Sequence, residues 1–201
     1  MRIIAGTYRS RILKSLKGQA LRPTSDRLRE TLFNVLGAGI SNSRFLDIFA
    51  GTGAVGIEAL SRGARHATFI ENHAPSETLI RKNLASLKIN SGITIIRADA
   101  LRALETLEAK INSDAPGYDY IFLDPPYAAV TDYSHVMQYL GASRLLDHNG
   151  ILIVEHRKTF YLPESVGSLG RLRLLRQGDA ALSFYRHLHA TENPPPDPDN
   201  P

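Results

Sequence analysis

The 201-residue chain contains no cysteine, which excludes disulfides and any metal or iron–sulfur centre held by thiolates. It has no run of 18 apolar residues, too little for a membrane-spanning helix. Its opening, Met1-Arg2-Ile3-Ile4-Ala5-Gly6, meets arginine again at Arg9 and lacks the apolar stretch of a secretory signal. A cytoplasmic protein with no membrane partner and no metal is the expectation. Hydrophobic residues at 43% and charged residues at 22% suit one soluble globular domain with a small appendage.

What is present is an uneven charge. Residues 1–29 hold eight basic side chains (Arg2, Arg9, Arg11, Lys14, Lys17, Arg22, Arg27 and Arg29) against the single acid Asp26, a segment charge of +7. Residues 30–201 carry −3. A basic arm on a mildly acidic body is the footprint expected for a polyanionic partner, although a solvated basic surface would look the same.

Residues 2–5 and 8–14 alternate around Gly6-Thr7 as a short hairpin would. Arg22-Pro23-Thr24-Ser25 offers a helix cap, and the helix that follows places Leu28, Leu32, Val35 and Leu36 on one face. From residue 44 strands and helices alternate: strand 44–49, helix 54–61, strand 67–70, helix 75–87, strand 93–96, helix 101–108, strand 120–123, helix 134–140, strand 151–154. Such βα repeats build a mostly parallel sheet covered on both faces, an α/β fold. Segments 172–176 and 181–186, joined through Gln177-Gly178-Asp179, leave no room for a helix and predict a closing antiparallel hairpin. The organisation is thus a basic extension over 1–40, an α/β domain over 41–189 and a proline-rich tail over 190–201. That tail has five prolines and the composition of a disordered segment.

Two motifs carry chemistry. The first strand ends Asp47-Ile48-Phe49-Ala50-Gly51-Thr52-Gly53-Ala54-Val55-Gly56. Gly51, Gly53 and Gly56 satisfy the dinucleotide spacing G-x-G-x-x-G, and Glu71 lies 20 residues past Gly51, where an acid can accept from ribose hydroxyls. A nicotinamide-dependent dehydrogenase is therefore a competing reading, and a tight turn without a ligand is the plainest one. Asp47 weighs against a pyrophosphate, which it would repel. It suits S-adenosylmethionine, which has no phosphate and carries a sulfonium and an ammonium. Glycine at 51 and 53 lets the backbone approach such a ligand closely. Asp99, after the third strand, can accept from an adenine amino group or simply cap a helix. Phe49, Asn72, Ala100 and Asp124 complete the candidate cofactor set.

The fourth strand ends Asp124-Pro125-Pro126-Tyr127. Paired prolines stop a central strand and remove two amide donors, which leaves carbonyls at the turn without neighbouring donors. Asp124 and the Pro125 carbonyl can then both accept from one exocyclic NH₂, with Tyr127 as a stacking face. An amine conjugated to its ring is a poor nucleophile. Two acceptors localise its lone pair and stabilise the positive charge that develops as a methyl group arrives.

With these motifs in view the chain resembles the RsmD-type 16S ribosomal RNA guanine-N2 methyltransferases. The likeness lies in Arg2-Ile3-Ile4-Ala5-Gly6, in Arg22-Pro23-Thr24-Ser25-Asp26-Arg27-Leu28-Arg29-Glu30-Thr31-Leu32-Phe33-Asn34, in the glycine loop with Glu58-Ala59-Leu60-Ser61-Arg62-Gly63-Ala64, in Asp124–Tyr127, in Val154-Glu155 and in Ser183-Phe184-Tyr185-Arg186. It covers roughly residues 1–187. The resemblance implies a Rossmann-like class I methyltransferase fold with a seven-stranded sheet and S-adenosylmethionine as donor. It also implies a guanine of small-subunit rRNA as target, presented on an assembling particle to a monomeric enzyme. Arg9, Arg11, Arg22, Arg27 and Arg29 are the expected RNA contacts. The tetrapeptide is shared with adenine-N6 DNA methyltransferases, which form the alternative. A non-catalytic RNA-binding module would need only the arm.

Overall fold

A computed structural model describes residues 1–15, 24–111, 116–126 and 130–188. Among these residues five α-helices flank one sheet. The helices are α1 (Asp26–Leu36), α2 (Ala54–Ser61), α3 (Ala74–Ser86), α4 (Ala100–Glu108) and α5 (Val130–Ala142). The strands are β1 (Arg44–Ile48), β2 (His66–Ile70), β3 (Ile93–Ile96), β4 (Tyr118–Leu123), β5 (Leu146–Arg157), β6 (Ser165–Val166), β7 (Leu169–Gln177) and β8 (Ala180–His187). They lie in the order β3-β2-β1-β4-β5-β8-β7-β6. Pairs from β3 through β5 are parallel, whereas β8, β7 and β6 join antiparallel.

Alternating side chains explain the layers. Leu46, Ile48, Ile121, Leu123, Leu152 and Val154 pack with α4 and α5. Their neighbours Phe45, Phe122 and Ile153 pack with α1, and Ala67 and Phe69 with α2 and α3. The sheet has one strand more than expected, the two-residue β6, which is too short to show a period. β5 is also much longer than 151–154: past a register shift, Leu146 pairs with Tyr118, so His148-Asn149-Gly150 lies within the strand rather than before it.

The N-terminal arm forms a hairpin-like turn whose only bridge among the described residues is Arg2 with Ile12, so it lacks the ladder of true strands. It is nevertheless fastened down. The main-chain N–H groups of Ile4 and Ala5 donate to the buried Glu58 carboxylate at 2.8 and 3.0 Å, and Thr7 N–H donates to the Ser61 carbonyl at 2.7 Å. Ile3 and Leu13 are buried against α2 and α3. Further along, the Asn83 side chain accepts from Lys14 N–H and donates to the carbonyl of Thr52 at 3.0 Å.

Candidate active site

The chain leaves β1 toward β2 and β3 on one side and returns to β4 on the other. The gap at the carboxyl ends of β1 and β4 is therefore the topological switch point, where open α/β sheets hold ligands. Phe49, Gly51 and Gly53 all have positive φ, at 62°, 55° and 76°. For the two glycines this is unstrained; for Phe49 it is not, and packing against the α4–α5 core holds it there. Gly56 lies flush on Phe69, where a Cβ would overlap the ring.

Two carboxylates brace this loop. Asp47, buried at 2% exposure, accepts from Gly56 N–H at 2.9 Å. It thus sits beneath the loop rather than at an open mouth, and it takes an amide in the first turn of α2. Burial, with the nearby Glu71 charge adding to it, pushes its pKa up to about 7. Glu71, at the end of β2, accepts from Gly51 N–H at 2.7 Å through one oxygen and from His73 N–H at 2.8 Å through the other. Of the amides that a pyrophosphate would seek, those of Gly51 and Gly56 are therefore already taken by carboxyl groups. The same carboxylates suit a cationic ligand without phosphate. Beside Glu71, Asn72 is exposed. Asp99 is exposed and caps α4 through Leu101 N–H at 3.1 Å, and Ala100 after it is buried.

On the other side of the switch point Asp124 follows β4, its N–H reaching the Ile48 carbonyl at 3.4 Å. Its Oδ2 lies 3.5 Å from the Thr24 hydroxyl, which donates to Glu155 Oε2 at 2.8 Å. Burial raises the Asp124 pKa well above the carboxylate range, and the Glu155 and Asp47 charges raise it further. Pro125 is buried and Pro126 exposed. The carbonyl of Pro125 is not as free of donors as the sequence suggested: the Tyr133 hydroxyl stands 3.3 Å away, closer still to the Glu155 carbonyl at 3.0 Å. A carbonyl oxygen has two lone pairs, so one remains for a substrate amine. Tyr127 lies outside the described residues.

Sequence reasoning missed Thr24, Tyr133 and Glu155 as parts of this site. A signal for Glu155 existed. β1, β2, β4 and β5 each carry an acid at or next to the end of an apolar run, in Leu46-Asp47, Ile70-Glu71, Leu123-Asp124 and Val154-Glu155. Parallel register then brings Glu71, Asp124 and Glu155 level with one another, one step past Ile70, Leu123 and Val154, with Asp47 two residues earlier on β1.

Of the expected RNA contacts, Arg9, Arg11 and Arg27 are exposed, and Arg22 lies outside the described residues. Arg29 is a correction. It is fully buried and donates through Nη2 to the Arg2 carbonyl at 2.6 Å and to Asp26 at 3.0 Å. Its guanidinium ties α1 to the arm and cannot reach a phosphate.

A Rossmann-like sheet with this strand order, closed by an antiparallel hairpin and carrying a glycine loop braced by acids, is that of a class I methyltransferase. Comparison with known proteins narrows the class. The family model described as conserved hypothetical protein 95 matches residues 1–186, and the chain belongs to that family, the RsmD family. It is similar to YlbH of Bacillus subtilis, at 34% identity over 92% of this chain and 98% of that one. It is also similar to ribosomal RNA small subunit methyltransferase D of Haemophilus influenzae, at 42% identity over 79% of each. The solved structure of the Thermus thermophilus protein TTHA0928 superposes with a TM-score of 0.78 at 29% identity, covering 92% of this chain and 99% of that chain.

Proposed function

We propose that the protein methylates the exocyclic N2 amino group of a guanine in small-subunit ribosomal RNA. The observation that carries this reading is the placement of Asp124 and the Pro125 carbonyl beside the braced glycine loop, in a family with a relative named for small-subunit rRNA methylation. S-adenosylmethionine supplies the methyl group when bound. The glycines at 51 and 53 give it close backbone approach, Glu71 faces its ribose, Asp99 with Asn72, Phe49 and Ala100 its adenine, and Asp47, once ionised above about pH 7, favours its cationic end.

Asp124 and Pro125 each accept a hydrogen bond from the amine. They thereby turn its lone pair toward the methyl carbon and stabilise the charge that develops on nitrogen. Holding nitrogen, carbon and leaving group in line supplies the positional part of the rate. A nitrogen–carbon bond forms as the methyl leaves its donor, and the proton then shed by nitrogen has Asp124 as its nearest base. Pro126 fixes the turn, and Tyr127 stacks on the base. Arg9, Arg11, Arg22 and Arg27 hold the phosphates around the target. The substrate is rRNA within an assembling small-subunit particle, and the enzyme acts in the cytoplasm as a monomer.

Nucleoside mass spectrometry of small-subunit rRNA and particles treated with the protein and labelled S-adenosylmethionine tests this. Label in N2-methylguanosine is expected. Label in N6-methyladenosine, or none, overturns the reading.

A further inference from the structure

The two acceptors assigned to the amine come from consecutive residues, yet both lead to one residue on the neighbouring strand. Glu155 ends the apolar run of β5 and is buried. Its side chain accepts the Thr24 hydroxyl at 2.8 Å, and that hydroxyl oxygen stands 3.5 Å from Asp124 Oδ2. Its main-chain carbonyl accepts the Tyr133 hydroxyl at 3.0 Å, and that hydroxyl oxygen stands 3.3 Å from the Pro125 carbonyl. One hydroxyl from before α1 and one from α5 thus connect Glu155 to both acceptors.

Resting on the amine-methylation reading, we propose that Glu155 is a positioning residue which, through Thr24 and Tyr133, fixes Asp124 and the Pro125 carbonyl at the spacing that receives the amine. The titratable groups around this bridge are Asp124 from β4, Glu155 from β5 and Asp47 from β1, with Glu71 of β2 behind Asp47 and the Tyr133 phenol from α5. A single hydroxyl between two carboxylates is shared by both, held more closely by Glu155 at 2.8 Å than by Asp124 at 3.5 Å. Beyond burial, the Glu155 charge raises the Asp124 pKa and the Thr24 hydrogen bond lowers it. Removing the Glu155 charge eases ionisation of Asp124; removing the Thr24 hydroxyl hinders it.

The test measures kcat, KM and the pH dependence of kcat on small-subunit RNA or particles. Glu155→Gln keeps the shape and loses the charge. It should lower kcat about 10- to 100-fold, as small misplacements of reacting groups do, and move the acid limb of the profile to lower pH. Thr24→Val should lower kcat and move that limb the other way, to higher pH. Thr24→Ser should restore both, and S-adenosylhomocysteine affinity should change little throughout. Opposite shifts of one limb are not produced by a packing defect. Should Glu155→Gln fail to fold, the Thr24 pair decides. An active wild type whose variants keep its kcat and its acid limb overturns this inference alone. A wild type with no methyl transfer overturns the underlying reading and this inference with it.

Discussion

Gly51 donates its main-chain N–H to Glu71 across 2.7 Å, tying the tip of the glycine loop to the end of the neighbouring strand. The same carboxylate receives His73 N–H, so removing it frees both the loop and the start of α3. Glu71→Ala should weaken S-adenosylhomocysteine binding by about 1.5–3 kcal/mol, the usual worth of hydrogen bonds to a charged group. Calorimetry reads this directly. Tight NAD binding without measurable S-adenosylhomocysteine binding would sink the cofactor assignment altogether.

Asp47 makes stability depend on pH. Folded, it keeps its proton up to about pH 7; unfolded, it loses it near pH 4. Between those values the folded state binds more protons, so wild-type stability falls as pH rises through this window and levels off above it. Asp47→Asn can still accept from Gly56 and lacks the effect. Urea denaturation at pH 5 and pH 8 should show the wild type losing on the order of 1–3 kcal/mol more than the variant. Equal losses would mean that Asp47 is ionised throughout.

Asp124→Ala should reduce turnover about 10²- to 10³-fold, the cost of one group aimed at developing charge. Cofactor affinity should stay near wild type. Turnover within a few-fold of wild type would remove Asp124 from the chemistry. For Tyr127→Ala, weaker base capture by about 1–3 kcal/mol is expected, and Tyr127→Phe should be much milder.

The arginines of the arm divide by burial. Replacing the exposed Arg9 and Arg11 with alanine should flatten the salt dependence of RNA binding by up to about two units, because fewer counterions are released. Stability should hold. Arg29→Ala should do the reverse, destabilising the fold by about 2–4 kcal/mol through lost hydrogen bonds and a cavity, with the salt slope unchanged. Binding curves at several salt concentrations and thermal melts separate the two. A wild-type slope in the double variant would leave the arm a solvated surface.

The sequence was enough to bound α2 and β3 to the residue, because loop residues frame each, Gly53 and Gly63 around α2 and Ser91-Gly92 before β3. It also indicated the closing hairpin. It failed where tertiary pairing outweighs local pattern, as when Leu146 on the far side of Asn149-Gly150 joins β5 by pairing with Tyr118. Arg29 was misread from its charge, although its position is that of the core face: Leu32, Phe33 and Leu36 follow it at three, four and seven residues, and all are buried with it. Asp47, Glu71 and Asp124 were legible because carboxylates at the ends of apolar strands stand out. Thr24 and Tyr133 were not, since they reach Glu155 across 131 and 22 residues and a hydroxyl announces nothing about its partner.

The Glu58 clamp bears on how the chain can be divided. Glu58 is fully buried and answered by the N–H groups of Ile4 and Ala5 and by Arg62 at 2.8 Å. Asn83, equally buried, holds both Lys14 and Thr52. A chain trimmed at residue 40 would leave Glu58 with one of these three donors and take from Asn83 its contact with Lys14. Buried charges stripped of partners commonly cost about 3–5 kcal/mol, a large part of what holds a domain of this size folded. The basic arm is therefore no detachable handle: the line between +7 and −3 runs through the middle of one cooperative unit.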